Sequence, residues 1–248
     1  MMFTPEERDR VERQVLEWAH ADSRVVAGAV VGSRAHHPGD RFSDLDLTFG
    51  VEAGCPISEV LDDWSHRLAE QYRASHLFDL PSGAALYRVF LLPGCLQLDL
   101  SFAPAAAFGA IGPQFRLLFG NAIDHAVPAA PDVRQLFGYG VHHAVRARVC
   151  VERQRYWHAE YWISGVRDYA LTMGCVRLGL PAHFGRGFDG LPDAIRTAAA
   201  SALVHSIERR DLVKALRCAT SLLLSEAAAA SVSTPDLVHE LQDLMAGD

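Results

Sequence analysis

The spacing of apolar residues changes near residue 127, and this change constrains the fold more than any other feature of the sequence. Before it, short apolar and β-branched runs such as 25–31 and 96–102 have the length and alternation of strands. After it, apolar residues recur at steps of three and four, which is typical of helices. The sequence therefore predicts an α+β chain, with a mixed sheet and helices first and an all-α part second.

The proline-marked stretch 127–131 is the predicted domain boundary. It divides the 248 residues into a first domain, 1–126, and a helical second domain, 127–248, expected to bind a substrate or to dimerise. In the first domain we expect helices at 4–20 and 56–74, and strands at 25–31, 44–49, 85–92, 96–102 and 114–119. In the second we expect helices at 132–143 and 145–178, then a Gly- and Pro-rich loop and two or three further helices.

The charge of the chain excludes some classes of partner. A net charge of −7, with an isoelectric point near 5.9, has the wrong sign for binding a long nucleic acid.

The sequence also predicts where the protein is located. No apolar run approaches the roughly 18 residues that span a bilayer, and the first residues do not have the pattern of a signal peptide. Five scattered cysteines without CxxC spacing favour a reducing compartment. We expect a cytoplasmic protein with no membrane partner.

Two carboxylates alternate along the strand predicted at 44–49. Asp44 and Asp46 project to one face, while Leu45 and Leu47 project to the other. Without a cation the two carboxylates would repel each other, which raises a pKa or destabilises the sheet. Carboxylate oxygens favour Mg²⁺ shared with substrate phosphates, so this strand predicts a metal site.

The strand predicted at 96–102 repeats the pattern. Asp99 shares a polar face with Gln97 and Ser101. If this strand lies beside that of Asp44, three carboxylates meet, and such a set can hold two metal ions roughly 3.5–4 Å apart for an in-line phosphoryl displacement.

A tight turn follows the buried strand at 25–31. Gly32 permits close approach of the backbone, and exposed N–H groups with the Ser33 hydroxyl can hold phosphate oxygens. Arg34 can supply positive charge to a departing pyrophosphate. The alternative is that Arg34 is an ordinary surface residue without a ligand.

These segments together resemble the signature of the DNA polymerase β-like nucleotidyltransferase superfamily. Its pattern is an apolar residue, Gly, then Gly or Ser, a spacer, and Asp-apolar-Asp-apolar; Val31-Gly32-Ser33 and Asp44-Leu45-Asp46-Leu47 match it. A nucleotidyltransferase core followed by a helical domain is similar to the antibiotic nucleotidyltransferases that act on aminoglycosides and lincosamides.

The resemblance implies a role for each matched position. Asp44 and Asp46 would hold two Mg²⁺ ions and the nucleoside triphosphate, ATP or another, and Ser33 with Gly32 would touch its phosphates. Asp99 would bind the second metal and help to deprotonate the acceptor hydroxyl. The reaction would transfer a nucleoside monophosphate to a small hydroxylated, aminoglycoside-like acceptor and release pyrophosphate, an antibiotic-resistance activity.

A polar and aromatic helical face follows Cys150. Its members recur at steps of three or four: Arg153, Trp157, Glu160, Ser164, Arg167 and Asp168. Such a face suits a polyhydroxylated or amine-bearing ligand. Glu160 is a candidate general base or amine ligand, with a salt bridge on its own helix as the alternative.

Two rival functions stay open from the sequence. One is an adenylyltransferase that modifies a protein or a tRNA, of which the acidic net charge disfavours tRNA. The other is a non-catalytic nucleotide-binding regulatory module. The helical second domain can also form the interface of a homodimer.

Overall fold

A computed structural model of the protein describes residues 2–36, 39–127 and 129–246. Two compact units are present, Met1–Pro128 and Ala129–Asp248, which we call the sheet unit and the helical unit. The boundary stretch 127–131 includes Pro128, which lies outside the described residues. A mixed sheet with helices in one unit and helices in the other make the chain α+β, as predicted.

The sheet unit is built on a mixed six-stranded sheet. Its long elements in chain order are α1 Pro5–Ala21, β1 Val25–Val31, β2 Leu45–Val51, α2 Ile57–Tyr72, β3 Ser75–Ser82, β4 Ala85–Leu92, β5 Leu96–Pro104 and, after the short β6 Gly109–Ala110, β7 Phe115–Phe119. The strand order is β3-β4-β5-β2-β1-β7. Only the β2–β5 pair in this sheet is parallel among the described residues. The last strand, β8 Ile123–Asp124, pairs with β6 in a separate ribbon.

Helix α1 has a strong start signal in the sequence. The Thr4 hydroxyl accepts a hydrogen bond from the Glu7 backbone N–H, and the Glu7 carboxylate accepts one from the Thr4 backbone N–H. Such a capping box satisfies two donors at the helix N-terminus and fixes where the helix begins. Val15 and Trp18 on its inner face are buried.

The two faces of the central strands differ in character. The face towards the helices is apolar and buried, and Trp64 of α2 packs there against Phe49 and Phe102 with ring centroids 5.2 and 5.1 Å away. The polar side chains of β2 and β5 lie on the opposite face, which we call the polar face: Asp46, Thr48, Gln97, Asp99 and Ser101. The hydrophobic side therefore fixes which side chains the polar face presents.

One strand of the sheet was not predicted. β3 forms the edge, and every one of its residues is exposed. An exposed edge strand has no buried face, so the alternation by which strands are recognised is missing. Pro81 within it also argues against a central strand.

The helical unit contains five α-helices among its described residues. They are α3 Val133–Glu152, α4 Tyr156–Arg177, α5 Asp193–Ser201, α6 Arg209–Ala229 and α7 Pro235–Ala246. The predicted break between the first two, at residue 144, is wrong: the chain turns at Gln154, which adopts a left-handed φ of 56°. Neither glycine nor proline marks that turn. None of the described helices has the length and apolar character that a bilayer crossing requires.

Candidate active site

Two of the predicted metal ligands lie side by side on the polar face. Asp46 of β2 and Asp99 of β5 are register partners in the parallel ladder. Paired positions of neighbouring strands place their side chains on the same side of a sheet. The structure therefore brings together two carboxylates that are 53 residues apart in the sequence.

Asp44 lies just before β2, and its negative charge acts on Asp99. Burial raises the pKa of the Asp99 carboxyl, and the negative charge of Asp44 raises it further. A hydrogen bond from the Gln97 amide to Asp99 Oδ1, at 3.0 Å, acts in the opposite direction. Electrostatic coupling thus links Asp44 with Asp99, as expected for carboxylates that share one surface.

A hydroxyl pair continues the polar face beneath the carboxylates. Ser101 Oγ donates a hydrogen bond of 2.7 Å to Thr48 Oγ1, and these residues are the next in-register pair on this face of β2 and β5. Ser101 is buried, so its hydroxyl needs this partner. Ser101 is predicted on this face from the sequence; Thr48 was missed, although the alternation from Asp46 indicates it.

The Gly32-Ser33 turn directly adjoins Asp46. Gly32 has a φ of +71°, and a Cβ at this position would overlap Asp46 Oδ2. The turn therefore needs glycine both for its backbone conformation and for the space that the carboxylate occupies. The Gly32 N–H donates to Gln114 O at 3.2 Å, so it is engaged within the fold, whereas Ser33 is exposed.

The contacts of Arg34 differ from those expected of a phosphate ligand. Its guanidinium lies 2.5 Å from Glu12 Oε2 and 3.2 Å from Asp9 Oδ1, both on α1, and its side chain is largely buried. These ion pairs direct the positive charge towards α1. We therefore leave Arg34 out of the phosphate contacts proposed below.

The carboxylates are suited to magnesium by their chemistry and by the face that they share. Within the described ranges, no three His, Cys, Asp or Glu side chains form a group that could hold a metal ion as they stand. The fit rests on the donor set, which consists of carboxylate oxygens on a shared face, the type that Mg²⁺ prefers.

Glu160 lies in a different part of the chain, on α4 of the helical unit. It borders a cleft of about 380 Å³ whose other lining residues include Tyr161, Ser164, Asp168 and Tyr169. Ser164 Oγ donates to Glu160 Oε1 at 2.8 Å. No described cation pairs with Glu160, whereas Asp168 is bound by Arg167 at 2.9 Å. Arg153, expected on the same face, instead ends α3.

One residue of this cleft was missed by the sequence analysis. His143 of α3 stacks edge to face on Trp162 and Tyr169, with ring centroids 4.6 and 4.9 Å apart. A Cβ at Gly165 would overlap His143 Nδ1, so the small residue lets the two helices approach. Burial, and to a smaller extent the neighbouring His142, lower the pKa of His143, so the site disfavours a charged ring. No sequence signal pairs a histidine with a glycine on another helix.

The sequence matches no protein-family model and no curated protein sequence. Among solved structures the chain is similar to an aminoglycoside 6-adenyltransferase from Bacillus subtilis. The two are 12% identical, the match covers 99% of this chain and 98% of that chain, and the TM-score is 0.40.

Proposed function

We propose that this protein is a Mg²⁺-dependent nucleotidyltransferase that moves a nucleoside monophosphate from ATP, or another nucleoside triphosphate, to a hydroxyl of a small acceptor. The observation that carries the proposal is the register pairing of Asp46 with Asp99, with the charge of Asp44 acting on Asp99 and with Gly32 against Asp46. Paired carboxylates on adjoining strands are the donor set of a two-metal phosphoryl-transfer site.

Asp44, Asp46 and Asp99 are the residues that would hold the metal. Bound there, Mg²⁺ supplies positive charge that neutralises the triphosphate and stabilises the attacking and leaving oxygens. The sheet unit needs such a charge, because the acidic excess of the chain lies within residues 1–128, whereas acids and bases are equal in number in 129–248. An anionic nucleotide would otherwise approach a negatively charged surface.

The turn after β1 is proposed to contact the triphosphate. Ser33 is exposed and can donate its hydroxyl to a phosphate oxygen. Gly32 permits the close approach, since any side chain there would displace Asp46. The binding contribution of the turn thus comes from Ser33 and from the shape of the backbone.

In the proposed step the acceptor oxygen attacks the α-phosphorus, and the bond from that phosphorus to the bridging oxygen of pyrophosphate breaks. The hydroxyl proton goes to a carboxylate, for which Asp99 and Glu160 are the candidates. Asp99 lies on β5 next to the proposed metal ligand Asp46, whereas Glu160 lies on the helical unit.

The acceptor is proposed to be a hydroxylated, amine-bearing molecule of the aminoglycoside type. Glu160 lacks a described cationic partner, and its cleft has tyrosine walls. A carboxylate with adjacent aromatic faces attracts an ammonium group by charge and by cation–π interaction. An antibiotic-resistance role would follow from such an acceptor.

The test is release of pyrophosphate from each nucleoside triphosphate with Mg²⁺, against a panel of aminoglycosides, lincosamides and other polyols. We expect release that needs both Mg²⁺ and an acceptor, and a product heavier by one nucleoside monophosphate. Asp46→Asn serves as the inactive control. No Mg²⁺-dependent nucleotide binding by calorimetry would contradict the proposal, and turnover only with a co-purifying protein would contradict the small acceptor.

A further inference from the structure

A buried arginine joins helix α1 to the loop that precedes the carboxylate strand. Arg8 is only 4% exposed. Its Nη1 donates to the backbone carbonyls of Asp40 at 2.7 Å and Ser43 at 3.1 Å. A buried guanidinium must have its donors satisfied, so these contacts are strong constraints on the loop.

The segment that Arg8 holds is itself ordered by local hydrogen bonds. The Asp40 N–H donates to Ser43 Oγ at 3.0 Å, and the Phe42 N–H donates to Asp40 Oδ1 at 2.8 Å. Ser43 is the residue directly before Asp44. Arg8 therefore fixes the last peptide before the carboxylate pair, at a sequence separation of 35 residues.

The same helix holds the other end of this connection. Arg34, which directly follows Gly32-Ser33, pairs with Glu12 of α1 at 2.5 Å. Gly39, with a φ of +70°, lies so close to Ser43 Oγ and Arg34 Cγ that a Cβ would come within 2.6 and 2.9 Å of them. One face of α1 thus contacts the chain after the phosphate turn and the chain before the carboxylates.

We propose that Arg8 is a positioning residue for the metal–nucleotide site. It acts through Ser43 on the placement of Asp44 and Asp46 and does not itself touch the substrate. This role rests on the proposed function of those carboxylates. A buried arginine that merely supported the fold would have no particular effect on the loop or on the metal.

The test compares Arg8→Met and Arg8→Lys with Val60→Ala in the full chain. Methionine keeps the packing volume without donors, and lysine keeps the charge and a donor nitrogen on a shorter side chain. Val60 of α2 is fully buried in the same core and has no hydrogen bond to the loop, so it controls for general loss of stability. The melting temperature of each variant measures its loss of stability, so that variants can be compared with the control.

The first measurement is hydrogen exchange of the backbone amides of 39–46 without ligand. We expect exchange about tenfold faster in Arg8→Met than in Val60→Ala, since a lost charge-assisted hydrogen bond changes an opening equilibrium by about that factor. Arg8→Lys should be intermediate, and it also keeps the test informative if the methionine variant fails to fold. Equal exchange in the arginine variants and Val60→Ala would overturn the proposal.

The second measurement is the affinity for Mg²⁺ with a non-hydrolysable ATP analogue. We expect about tenfold weaker binding in Arg8→Met, partial recovery in Arg8→Lys and wild-type binding in Val60→Ala. Faster exchange with unchanged affinity would also overturn the positioning role. If the wild-type protein bound no Mg²⁺ and nucleotide, the proposed function would fail, and the positioning role of Arg8 for that site would fail with it. Failure confined to the Arg8 variants leaves the proposed function standing.

Discussion

Asp46 and Asp99 are register partners in the parallel β2–β5 ladder of the sheet. Their shared face also carries the Thr48–Ser101 hydroxyl pair. The residues that separate these two pairs along β2 and β5 point into the apolar core. Moving either strand by one residue would send its carboxylate into that core. The hydrophobic packing of the sheet thus sets the position of the proposed metal ligands.

Asp46→Asn is the most direct test of the proposed chemistry. The amide keeps the size of the side chain but removes a negative charge that would hold Mg²⁺. We expect nucleotidyl transfer to fall at least about a hundredfold, since the metal supplies several kcal/mol of charge stabilisation to such a transition state. Pyrophosphate release at saturating nucleotide measures it.

Asp124→Asn is the matched control, because Asp124 is an exposed carboxylate of the same unit in the separate β6–β8 ribbon. It should retain wild-type turnover. Similar losses in both variants would show that general acidity of the unit, and not the carboxylate pair, governs turnover.

Asp99→Asn is expected to separate stability from activity. Burial and the charge of Asp44 raise the pKa of Asp99, which means that the folded state disfavours its ionised form. Removal of the charge should therefore raise the melting temperature at pH 7 while turnover is lost. Excess Mg²⁺ should then stabilise the wild-type protein more than the variant. A lower melting temperature for Asp99→Asn at pH 7 would contradict this account.

Gly32→Ala tests the contact between the turn and the carboxylate. A methyl group there meets Asp46 Oδ2 in addition to requiring a φ of +71°. We expect a loss of about 1–3 kcal/mol in the free energy of unfolding and a large loss of nucleotide affinity. Urea unfolding and calorimetry with Mg²⁺ and an ATP analogue measure the two effects.

Gly54→Ala provides a close comparison for that change. Gly54 has a φ of +87°, but no atom lies within 4 Å of a Cβ placed there. It should lose about 1 kcal/mol of stability from backbone strain alone and keep its nucleotide affinity. If both alanine variants bound nucleotide equally well, Gly32 would have no special relation to the site.

The segments around the candidate carboxylates could be predicted because their alternation has one strongly buried side. Leu45 and Leu47 of β2, like Leu98 and Leu100 of β5, are almost wholly buried, so the polar positions between them follow from the sequence. The pairing of Asp46 with Asp99 could not be predicted, since the sequence does not state the register of two strands that are distant along the chain.

Other features have no local signal at all. The buried contacts of Arg8 join residues 32 and 35 positions apart, and a lone arginine on a helix reads as a surface residue. The break after α3 depends on Gln154, a residue type that seldom adopts a left-handed φ. Tertiary contacts decide both features.

The Asp22 carboxylate should make the free energy of unfolding depend on pH. Its side chain is 6% exposed and accepts hydrogen bonds from Arg24 and from Trp64 Nε1, and chiefly the Arg24 bond lowers its pKa from 3.8 to about 2. A depressed pKa in the folded state adds stability above the unfolded pKa, which is lost as the pH falls from about 4 towards 2. We expect this contribution to be about 2 kcal/mol.

The measurement is the free energy of unfolding of Asp22→Asn and the wild-type protein from pH 7 to pH 3. Their difference should shrink as the pH falls. Asp63→Asn is the control, because Asp63 binds the same Arg24 but is exposed, so its ion pair adds little. A difference for Asp22→Asn that stayed constant across this range would contradict the assignment.

Glu160→Gln tests whether the cleft of the helical unit binds the acceptor. The Ser164 hydrogen bond can persist with the amide oxygen, so the fold should be unaffected while the negative charge is lost. For an amine-bearing acceptor we expect KM to rise about tenfold or more, the effect of losing a hydrogen bond between charged groups. If Glu160 were instead the general base, kcat would fall and KM would change little. Glu240→Gln, an exposed carboxylate on α7, should change neither constant. Unchanged kcat and KM in Glu160→Gln would place the acceptor elsewhere.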